Sequence, residues 1–470
     1  MSTNERQAVI DQAVAIADSG TLLKTMERLV SYKTESQEPH RAEVQIDYLT
    51  NEIAPALHEM GFITRLVSNP ISATAPLLIG ERIEDPSLPT ILTYGHADVV
   101  RGYDDQWDEG LNPWKVTVVG DRWYGRGIAD NKGQHAINLT ALRTVLEARK
   151  GKLGYNVKVV FESGEEIDSP GLNAVCEREK EALAADVFIA SDGPRVSAER
   201  PTLFLGSRGG ILFDLEVTLR DSAHHSGNWG GVLSNPATIL AHAMASLVDQ
   251  NGRILVEALL PPPIPESVSA ALFDVMLGQD DDAPEIDHSW GQPGLTAAER
   301  VLAWNTIEVL AFKCANADSP VNAIPATAKA VCDFRFVVGS DWRNLERHLR
   351  NHLHSLGLHS VQVRVTEGLP ATRLDPEDAW AQWAVKSVAR TSGKKPALLP
   401  NFGGTTPNYI FADTLGLPTI WIPHSYPACS QHAPNEHFLG SVARESMAIM
   451  AGIWWDLGEE AQQVIKQRDK

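Results

Sequence analysis

Four short apolar segments, each followed by polar side chains, constrain the fold of this chain more than any other feature. These segments cover residues 89–94, 157–161, 186–190 and 418–422. Each is rich in β-branched residues and bounded by turn or polar residues, as buried strands are. Helix-like patterns lie among them, over residues 21–30, 43–60 and 131–150, the last with Gly151 as its expected C-cap. Strands that alternate with helices predict an α/β sheet layered by helices.

The middle of the chain has a different pattern. Residues 211–220 and 327–338 alternate apolar with polar side chains, as strands with one wet face do. A helix-like run covers 236–248, and a long stretch rich in Pro and Asp follows over 260–294. This pattern predicts an inserted α+β domain. The predicted division is a catalytic domain over 1–206, the inserted domain over 207–370, and the rest of the catalytic domain over 371–470.

The polar groups that follow the strands are two histidines and several carboxylates. They are His96 and Asp98 after the first strand, Glu165 and Glu166 after the second, Asp192 after the third, and His432 after the fourth, with Asp130 just before the 131–150 helix. In open α/β sheets functional groups gather beyond the carboxyl ends of the strands, so these groups are expected to share one cleft. The carboxylates would repel one another strongly without cations. Two divalent metals that share a bridging carboxylate would relieve this repulsion, and the donor set suits zinc, manganese or cobalt.

Each group also has an ordinary structural interpretation. A single His-x-Asp after a strand is more often structural, and a Glu-Glu pair in a loop is usually solvated. Asp192 precedes Gly193-Pro194, which is a common turn signal, and Asp130 could simply cap a helix. The metal-site prediction therefore rests on the joint placement of these groups at strand ends.

Charge and cysteine content exclude several classes of protein. The 470-residue chain has 41 Lys and Arg against 60 Asp and Glu, a net charge of −19, which disfavours nucleic acid as a partner. No segment approaches the roughly 18 consecutive apolar residues that span a bilayer, and the N-terminus lacks a secretory signal. The four cysteines (Cys176, Cys314, Cys332, Cys429) are far apart and predict free thiols rather than disulfides or a cysteine zinc site. A cytoplasmic enzyme is the simplest expectation.

With these residues in hand, the chain resembles the M20 family of metallopeptidases, in particular its dipeptidase-like (carnosinase-like) branch. The matching motifs occur in order along nearly the whole chain: 94–99 (YGHADV), 124–127 (YGRG), 130–133 (DNKG), 163–166 (SGEE), 191–192 (SD), 225–227 (HSG) with 230–231 (GG), 322–325 (NAIP) and 432–436 (HAPNE). The resemblance implies an α/β/α metallohydrolase domain with a mixed sheet, and an inserted α+β domain that serves as lid and dimerisation domain.

The resemblance also implies a role for each metal-site residue. His96 and Asp192 would bind one metal, Glu166 and His432 the other, and Asp130 would bridge the two. Asp98 would orient the His96 imidazole. Glu165 would be the general base, taking a proton from a metal-bridging water that acts as the nucleophile.

Further residues are similar to those that contact the substrate in this family. His225 matches a histidine that reaches the partner subunit's active site and stabilises the oxyanion, so a homodimer is expected. Arg335 and Asn322 resemble residues that hold the substrate's carboxylate or carbonyl, and Gly403, Gly404 and Thr405 resemble a loop that approaches the substrate terminus. In the alternatives, His225 lies in a solvated loop pair with His224, Arg335 forms a surface salt bridge, and 403–406 begins a helix capped by Thr406.

The resulting functional expectation is a metallopeptidase that cleaves the amide bond of dipeptides or related N-acyl amino acids with two divalent metals, zinc first and manganese or cobalt as alternatives. Asp at position 192 leans toward aminopeptidases and dipeptidases within the family. The rival hypotheses are a deacylase of the acetylornithine or succinyl-diaminopimelate type, and a non-catalytic binding protein of the same fold. The presence of every ligand and of Glu165 argues against the last of these.

Overall fold

The structure of the chain is a computed structural model that describes residues 3–279 and 283–468. Residues 280–282, within the stretch rich in Pro and Asp, lie outside the described residues. The strands are, in chain order, β1 (Ile63–Val67), β2 (Leu77–Arg82), β3 (Thr90–His96), β4 (Thr117–Val119), β5 (Arg122–Tyr124), β6 (Asn156–Glu162), β7 (Val187–Ala190), β8 (Thr202–Phe204), β9 (Gly209–Thr218), β10 (His224–His225), β11 (Thr306–Lys313), β12 (Ala323–Ile324), β13 (Thr327–Phe336), β14 (Val361–Val365), β15 (Ala397–Leu399), β16 (Thr419–Trp421) and β17 (His437–Leu439).

The helices are, in the same order, α1 (Thr3–Asp18), α2 (Thr21–Val30), α3 (Ala42–Tyr48), α4 (Ala54–Glu59), α5 (Lys132–Ala148), α6 (Leu172–Arg178), α7 (Ser226–Trp229), α8 (Pro236–Leu247), α9 (Glu266–Leu272), α10 (Ala297–Leu302), α11 (Leu345–Ser355), α12 (Ala379–Ser392) and α13 (Gly440–Arg468). The predicted helix at 43–60 is α3 and α4 joined by the π-helical turn Leu49–Ile53. Gly151 lies beyond α5 with φ +84° and donates a hydrogen bond to the Leu146 carbonyl, as a C-capping glycine does. None of the helices within the described residues has the length and apolar character that a bilayer crossing needs.

The large sheet has eight strands in the order β1-β2-β6-β3-β7-β16-β8-β15. The four strands predicted from the apolar segments are β3, β6, β7 and β16, and they are neighbours at its centre. They pair in parallel, whereas β1, β2 and part of β8 pair antiparallel, so the sheet is mixed. Because parallel neighbours end at the same edge, the residues after these four strands meet there.

Helices cover both faces of this sheet. Ile91 of β3 points into a core that includes α1, α2, α5, α12 and α13, while the next residue, Leu92, points into a core that includes α6, α9 and α10. This alternation is the period of two of a strand buried on both sides. The predicted α/β/α architecture is confirmed.

A second sheet forms a separate layer. Its four strands have the order β11-β13-β9-β14 and all pair antiparallel, with α8 and α11 over one face. The predicted strands at 211–220 and 327–338 are β9 and β13, and the predicted helix at 236–248 is α8. The inserted α+β unit is therefore present.

The domain boundaries at 206/207 and 370/371 stay predictions. The first of them lies between Phe204, the last residue of β8, and Gly209, the first of β9, and these two strands belong to different sheets. One part of the predicted insertion behaves differently, because Leu272 of α9 and Leu302 of α10 pack into the core of the large sheet. Helices α9 and α10 thus contribute to the first layer although they lie inside the predicted insertion.

Candidate metal centre

The predicted metal ligands lie together at the carboxyl edge of the large sheet. His96 is the last residue of β3, Glu166 follows β6, Asp192 follows β7 and His432 follows β16. Asp130 comes from the segment just before α5. Parallel strand order explains this convergence, since ligands far apart in sequence leave neighbouring strands at one edge.

One group of side chains surrounds His96. Nε2 of His96 lies 2.9 Å from Oδ1 of Asp130 and 3.8 Å from Oδ2 of Asp192, and all three residues are buried. Their candidate ligand atoms lie within 4.8 Å of one another.

A second group shares Asp130 with the first. Nε2 of His432 lies 3.1 Å from Oδ2 of Asp130 and 2.9 Å from Oε2 of Glu166. The atoms of this group also lie within 4.8 Å of one another. The two oxygens of the Asp130 carboxylate thus face different histidines, which is the arrangement that a carboxylate bridging two cations needs.

Asp98 connects the two ligand-bearing segments. Its Oδ1 lies 3.4 Å from Nδ1 of His96, and its backbone carbonyl lies 3.1 Å from the same nitrogen. The same carboxylate accepts hydrogen bonds from the backbone N–H groups of Glu165 at 3.2 Å and Glu166 at 3.1 Å. Asp98 therefore contacts the imidazole, as expected for an orienting residue, and also fixes the turn that carries both glutamates.

The pKa values of these side chains reflect the many carboxylates that are buried at this edge of the sheet. Burial raises the pKa of Glu165 well above its usual value, raises that of Glu166 to about 7 and raises that of Asp192 to about 6. Burial alone would lower the pKa of His432, but hydrogen bonds with Asp130 and Glu166 raise it to about 11. Without bound cations, the carboxyl groups and His432 therefore tend to keep their protons, because little other positive charge balances the carboxylates.

This donor set fits divalent metals. Each group contributes one imidazole nitrogen and carboxylate oxygens that lie within 4.8 Å of one another. Nitrogen and oxygen ligands of these types are the ones that zinc, manganese and cobalt accept. Bound cations would replace the protons that the histidines otherwise retain. The two histidines and the carboxylates around Asp130 therefore form a candidate metal site.

Glu165, the predicted general base, lies at the wall of a large cavity. Glu165 lines a cavity of about 1500 Å³ together with Asp130, Asp192 and His432. Gly210 and Arg335 of the second sheet line the same cavity. The cleft between the two sheets is therefore the space that a substrate would enter.

Of the predicted substrate contacts, Arg335, Gly404 and Thr405 line this cavity. Arg335 donates from Nη1 to Oγ1 of Thr405 at 2.5 Å and from Nε to Oδ2 of Asp333 at 2.7 Å. The surface salt bridge considered for Arg335 is thus present, and the residue faces the cavity as well. The Gly403 carbonyl instead accepts a hydrogen bond from Nε of Arg208. Thr406 does not cap a helix with its side chain, because its Oγ1 is buried without a partner among the described residues.

His225 and Asn322 lie close together. Their segments form the two-stranded ladder β10-β12, and the backbone N–H of Ser226 donates to the Asn322 carbonyl. Neither residue is among the described residues that line the 1500 Å³ cavity. Both are exposed, and Nδ1 of His225 accepts a hydrogen bond from the Gly227 N–H.

Two residues that were not predicted also touch the site. Nε2 of Gln431 donates to Oδ2 of Asp130, and the Glu436 carboxylate accepts the backbone N–H of Asp130 at 3.2 Å. Glu436 belongs to the same motif as His432 and could have been found from it. Gln431 has no local pattern that distinguishes it from an ordinary loop glutamine.

The chain is similar in sequence to a known peptidase family and to several dipeptidases. A sequence model described as peptidase family M20/M25/M40 matches residues 92–456. The chain is 36% identical over 189 residues to a Beta-Ala-His dipeptidase of Rattus norvegicus, a match that covers 40% of this chain and 38% of that protein's own length. It is 27% identical over 402 residues to a Cysteinylglycine-S-conjugate dipeptidase of Corynebacterium striatum, covering 82% of this chain and 84% of the relative.

Among solved structures, human carnosine dipeptidase 1 has a TM-score of 0.76 at 22% identity, covering 97% of this chain and 99% of its own. The dipeptidase Dug1p from Saccharomyces cerevisiae has a TM-score of 0.77 at 21% identity, covering 98% and 100%. These structural matches show the same fold. The family match over residues 92–456, which is most of the chain, establishes that this protein belongs to peptidase family M20/M25/M40.

Proposed function

We propose that this protein is a dinuclear metal-dependent hydrolase that cleaves the amide or peptide bond of dipeptides or related N-acyl amino acids. The observation that carries the proposal is the position of Asp130. One of its carboxylate oxygens lies 2.9 Å from the first histidine and the other 3.1 Å from the second, so it belongs to both ligand groups.

His96 and Asp192 would hold one metal and Glu166 and His432 the other, with Asp130 shared. We infer zinc, with manganese or cobalt as substitutes, from the mixed nitrogen and oxygen donors. When bound, two such cations polarise a scissile carbonyl and lower the pKa of a water molecule.

Glu165 is proposed as the general base. It lines the cavity beside the ligands, and its turn is fixed through the Asp98 carboxylate. Burial raises the pKa of its carboxyl above the usual value, which makes the carboxylate a stronger base for accepting a proton. Glu165 would take a proton from the attacking water and pass it to the leaving amine nitrogen.

Substrate contacts are proposed among the residues that line the cavity beside the metal ligands. Arg335 presents a guanidinium to the cavity beside Thr405, and this planar donor group matches the geometry of a carboxylate. Asn322, Gly403 and Gly404 are proposed as further contacts from the resemblance. The free carboxylate of a dipeptide or N-acyl amino acid is the group that Arg335 would bind.

His225 is proposed to act on the partner subunit's site in a homodimer. It is exposed and is not among the described residues that line the cavity of its own chain. The outer strand β11 of the second sheet also exposes Val309, Leu310 and Phe312, an apolar edge that a second copy could cover. In this arrangement the partner's histidine would donate to the developing oxyanion.

Dipeptides are favoured over other acyl compounds by two observations. Position 192 is Asp, and the relatives named above carry dipeptidase names, one of them matching over more than four fifths of both chains.

A substrate panel tests the proposal. Protein stripped with a chelator and reloaded with zinc, manganese or cobalt would be assayed against dipeptides, N-acetyl amino acids and N-succinyl amino acids. We expect dipeptide turnover that disappears on chelation and returns on reloading. Turnover of the acyl compounds alone would support the deacylase alternative, and full metal occupancy without any turnover would support a binding protein.

A further inference from the structure

The buried carboxylate of Glu436 lies in a cradle of hydrogen-bond donors next to the ligand site. Oε2 accepts from Nη1 of Arg126 at 2.7 Å and from the Gly127 N–H at 3.1 Å. Oε1 accepts from the Ala129 N–H at 2.9 Å and from the Asp130 N–H at 3.2 Å. Glu436 is 1% exposed, so these four donors replace its hydration.

Glu436 links the segment that carries Asp130 to the loop that carries His432, and these two ligands belong to the same ligand group. The residue lies four positions after His432, and its donors extend to Asp130 itself. Beside it, strands β5 and β17 pair antiparallel, and the Gly125 N–H donates to the Glu436 carbonyl. Nη2 of Arg126 also donates to the Ala433 carbonyl at 2.9 Å, inside the loop that carries His432.

These loops need such support more than the other ligand segments do. His96 is the last residue of a central strand, and Asp192 follows the neighbouring strand β7 almost directly. The His432 loop lacks this support, and Ser430, His432 and Asn435 all adopt positive φ values there, of 56°, 62° and 63°. Left-handed residues other than glycine persist only where surrounding contacts hold them.

We propose that Glu436 is a positioning residue that sets the distance between Asp130 and His432, and thereby the second metal position. This inference rests on the proposed dinuclear function. Hydrogen-bonded groups behind metal ligands typically change metal affinity by about 10–100-fold when they are removed. Asp130 belongs to both ligand groups, but His96 and Asp192 of the first group are held by the sheet, so the metal at Glu166 and His432 depends more strongly on Glu436.

The test replaces the carboxylate with an amide of the same shape, Glu436→Gln. A glutamine has one acceptor oxygen, so its NH₂ must face two of the four donors in either orientation. We expect folded Glu436→Gln to bind one metal ion per chain tightly and the second about 10–100-fold more weakly. Co²⁺ titration followed by visible absorption, with metal content by mass spectrometry, measures both ions without relying on activity.

A matched control separates positioning from stability. Asp456 is also a buried carboxylate, accepting from Nε of Arg6 at 2.7 Å and Oγ of Ser387 at 2.6 Å, but it lies on α13. Asp456→Asn should lower Tm while both metal affinities stay unchanged. The inference is overturned if Glu436→Gln binds both ions as the wild type does, or if Asp456→Asn weakens the second ion equally.

A second readout needs no metal. In the metal-free protein, Glu436→Gln should speed amide hydrogen exchange in the 125–131 and 430–436 peptides and leave α12 unchanged. Failure of the wild type to bind two ions would show that the dinuclear function is wrong. Unchanged hydrogen exchange in these peptides would separately refute the role of Glu436. If Glu436→Gln does not fold, Arg126→Lys replaces it in the same measurements, and the same outcomes support or overturn the inference. The lysine keeps a positive charge but cannot donate to both loops as Arg126 does.

Discussion

Nε2 of His432 lies 3.1 Å from Oδ2 of Asp130, although 302 positions separate the two residues in the chain. Together with Glu166, this carboxylate raises the pKa of His432 to about 11 against the opposing effect of burial. A metal binds only the neutral imidazole. A proton and a cation therefore compete for the same nitrogen.

Metal binding is expected to release protons for this reason. Below the raised pKa the His432 ring is protonated, so the metal must displace this proton, and each rise in pH lowers the proton concentration against which the metal competes. Metal affinity should therefore increase with pH between about 6 and 8, by about tenfold per pH unit for each proton displaced. Calorimetric titration in two buffers of different ionisation enthalpy would count these protons. Identical heats in the two buffers would contradict the competition.

Glu165→Gln separates proton transfer from metal binding. The amide cannot accept a proton, so kcat should fall by about 10²–10⁴-fold while metal content stays at the wild-type level. Metal analysis and steady-state assays on the same sample measure both quantities. The comparison variant is Glu177→Gln, an exposed glutamate on α6, which should keep full activity. A Glu165→Gln protein with near-normal kcat would rule out this residue as the base.

His225 gives a test of the proposed shared site. His225→Ala should lower kcat by about 10²–10³-fold, the usual effect of losing one oxyanion donor, with no change in metal content. If the histidine serves the partner subunit, mixing His225→Ala with Glu165→Gln should restore activity, because one site of each mixed dimer receives both intact residues. Subunit exchange is verified separately with two differently tagged proteins. Exchange without any recovery would place His225 outside the partner's site.

The central strands and their ligands could be predicted because both follow from local sequence. β3, β6, β7 and β16 are apolar runs bounded by turns, and the groups after them include His96 and His432. The outer strands β1, β2, β8 and β15 were not predicted. β1 is largely exposed and β8 and β15 have three residues each, so their patterns are weak.

Contacts between distant loops could not be predicted in the same way. The donors around Glu436 are mostly backbone N–H groups of Gly127, Ala129 and Asp130, which carry no side-chain signal. The packing of α9 on the large sheet was missed because a seven-residue helix inside a stretch rich in Pro and Asp has too few turns to show periodicity. The sequence therefore predicts which side chains meet at the site better than what holds them there.

The buried histidine His424 should make stability depend on pH. Burial keeps the pKa of His424 well below 6.5, and its ring lies 3.0 Å from Oγ of Ser191 in the neutral form. The unfolded chain binds a proton at this residue near pH 6.5, whereas the folded chain does not. The contribution of His424 to the free energy of unfolding is therefore fully present above that pH and decreases as the pH falls below it. The loss approaches about 1.4 kcal/mol per pH unit for this one group. Urea unfolding of metal-loaded protein between pH 5 and 7.5 would show it as a steeper slope in the wild type than in His424→Gln. His354→Gln, at an exposed position on α11, should keep the wild-type slope, and equal slopes in all three proteins would mean that His424 does not control this dependence.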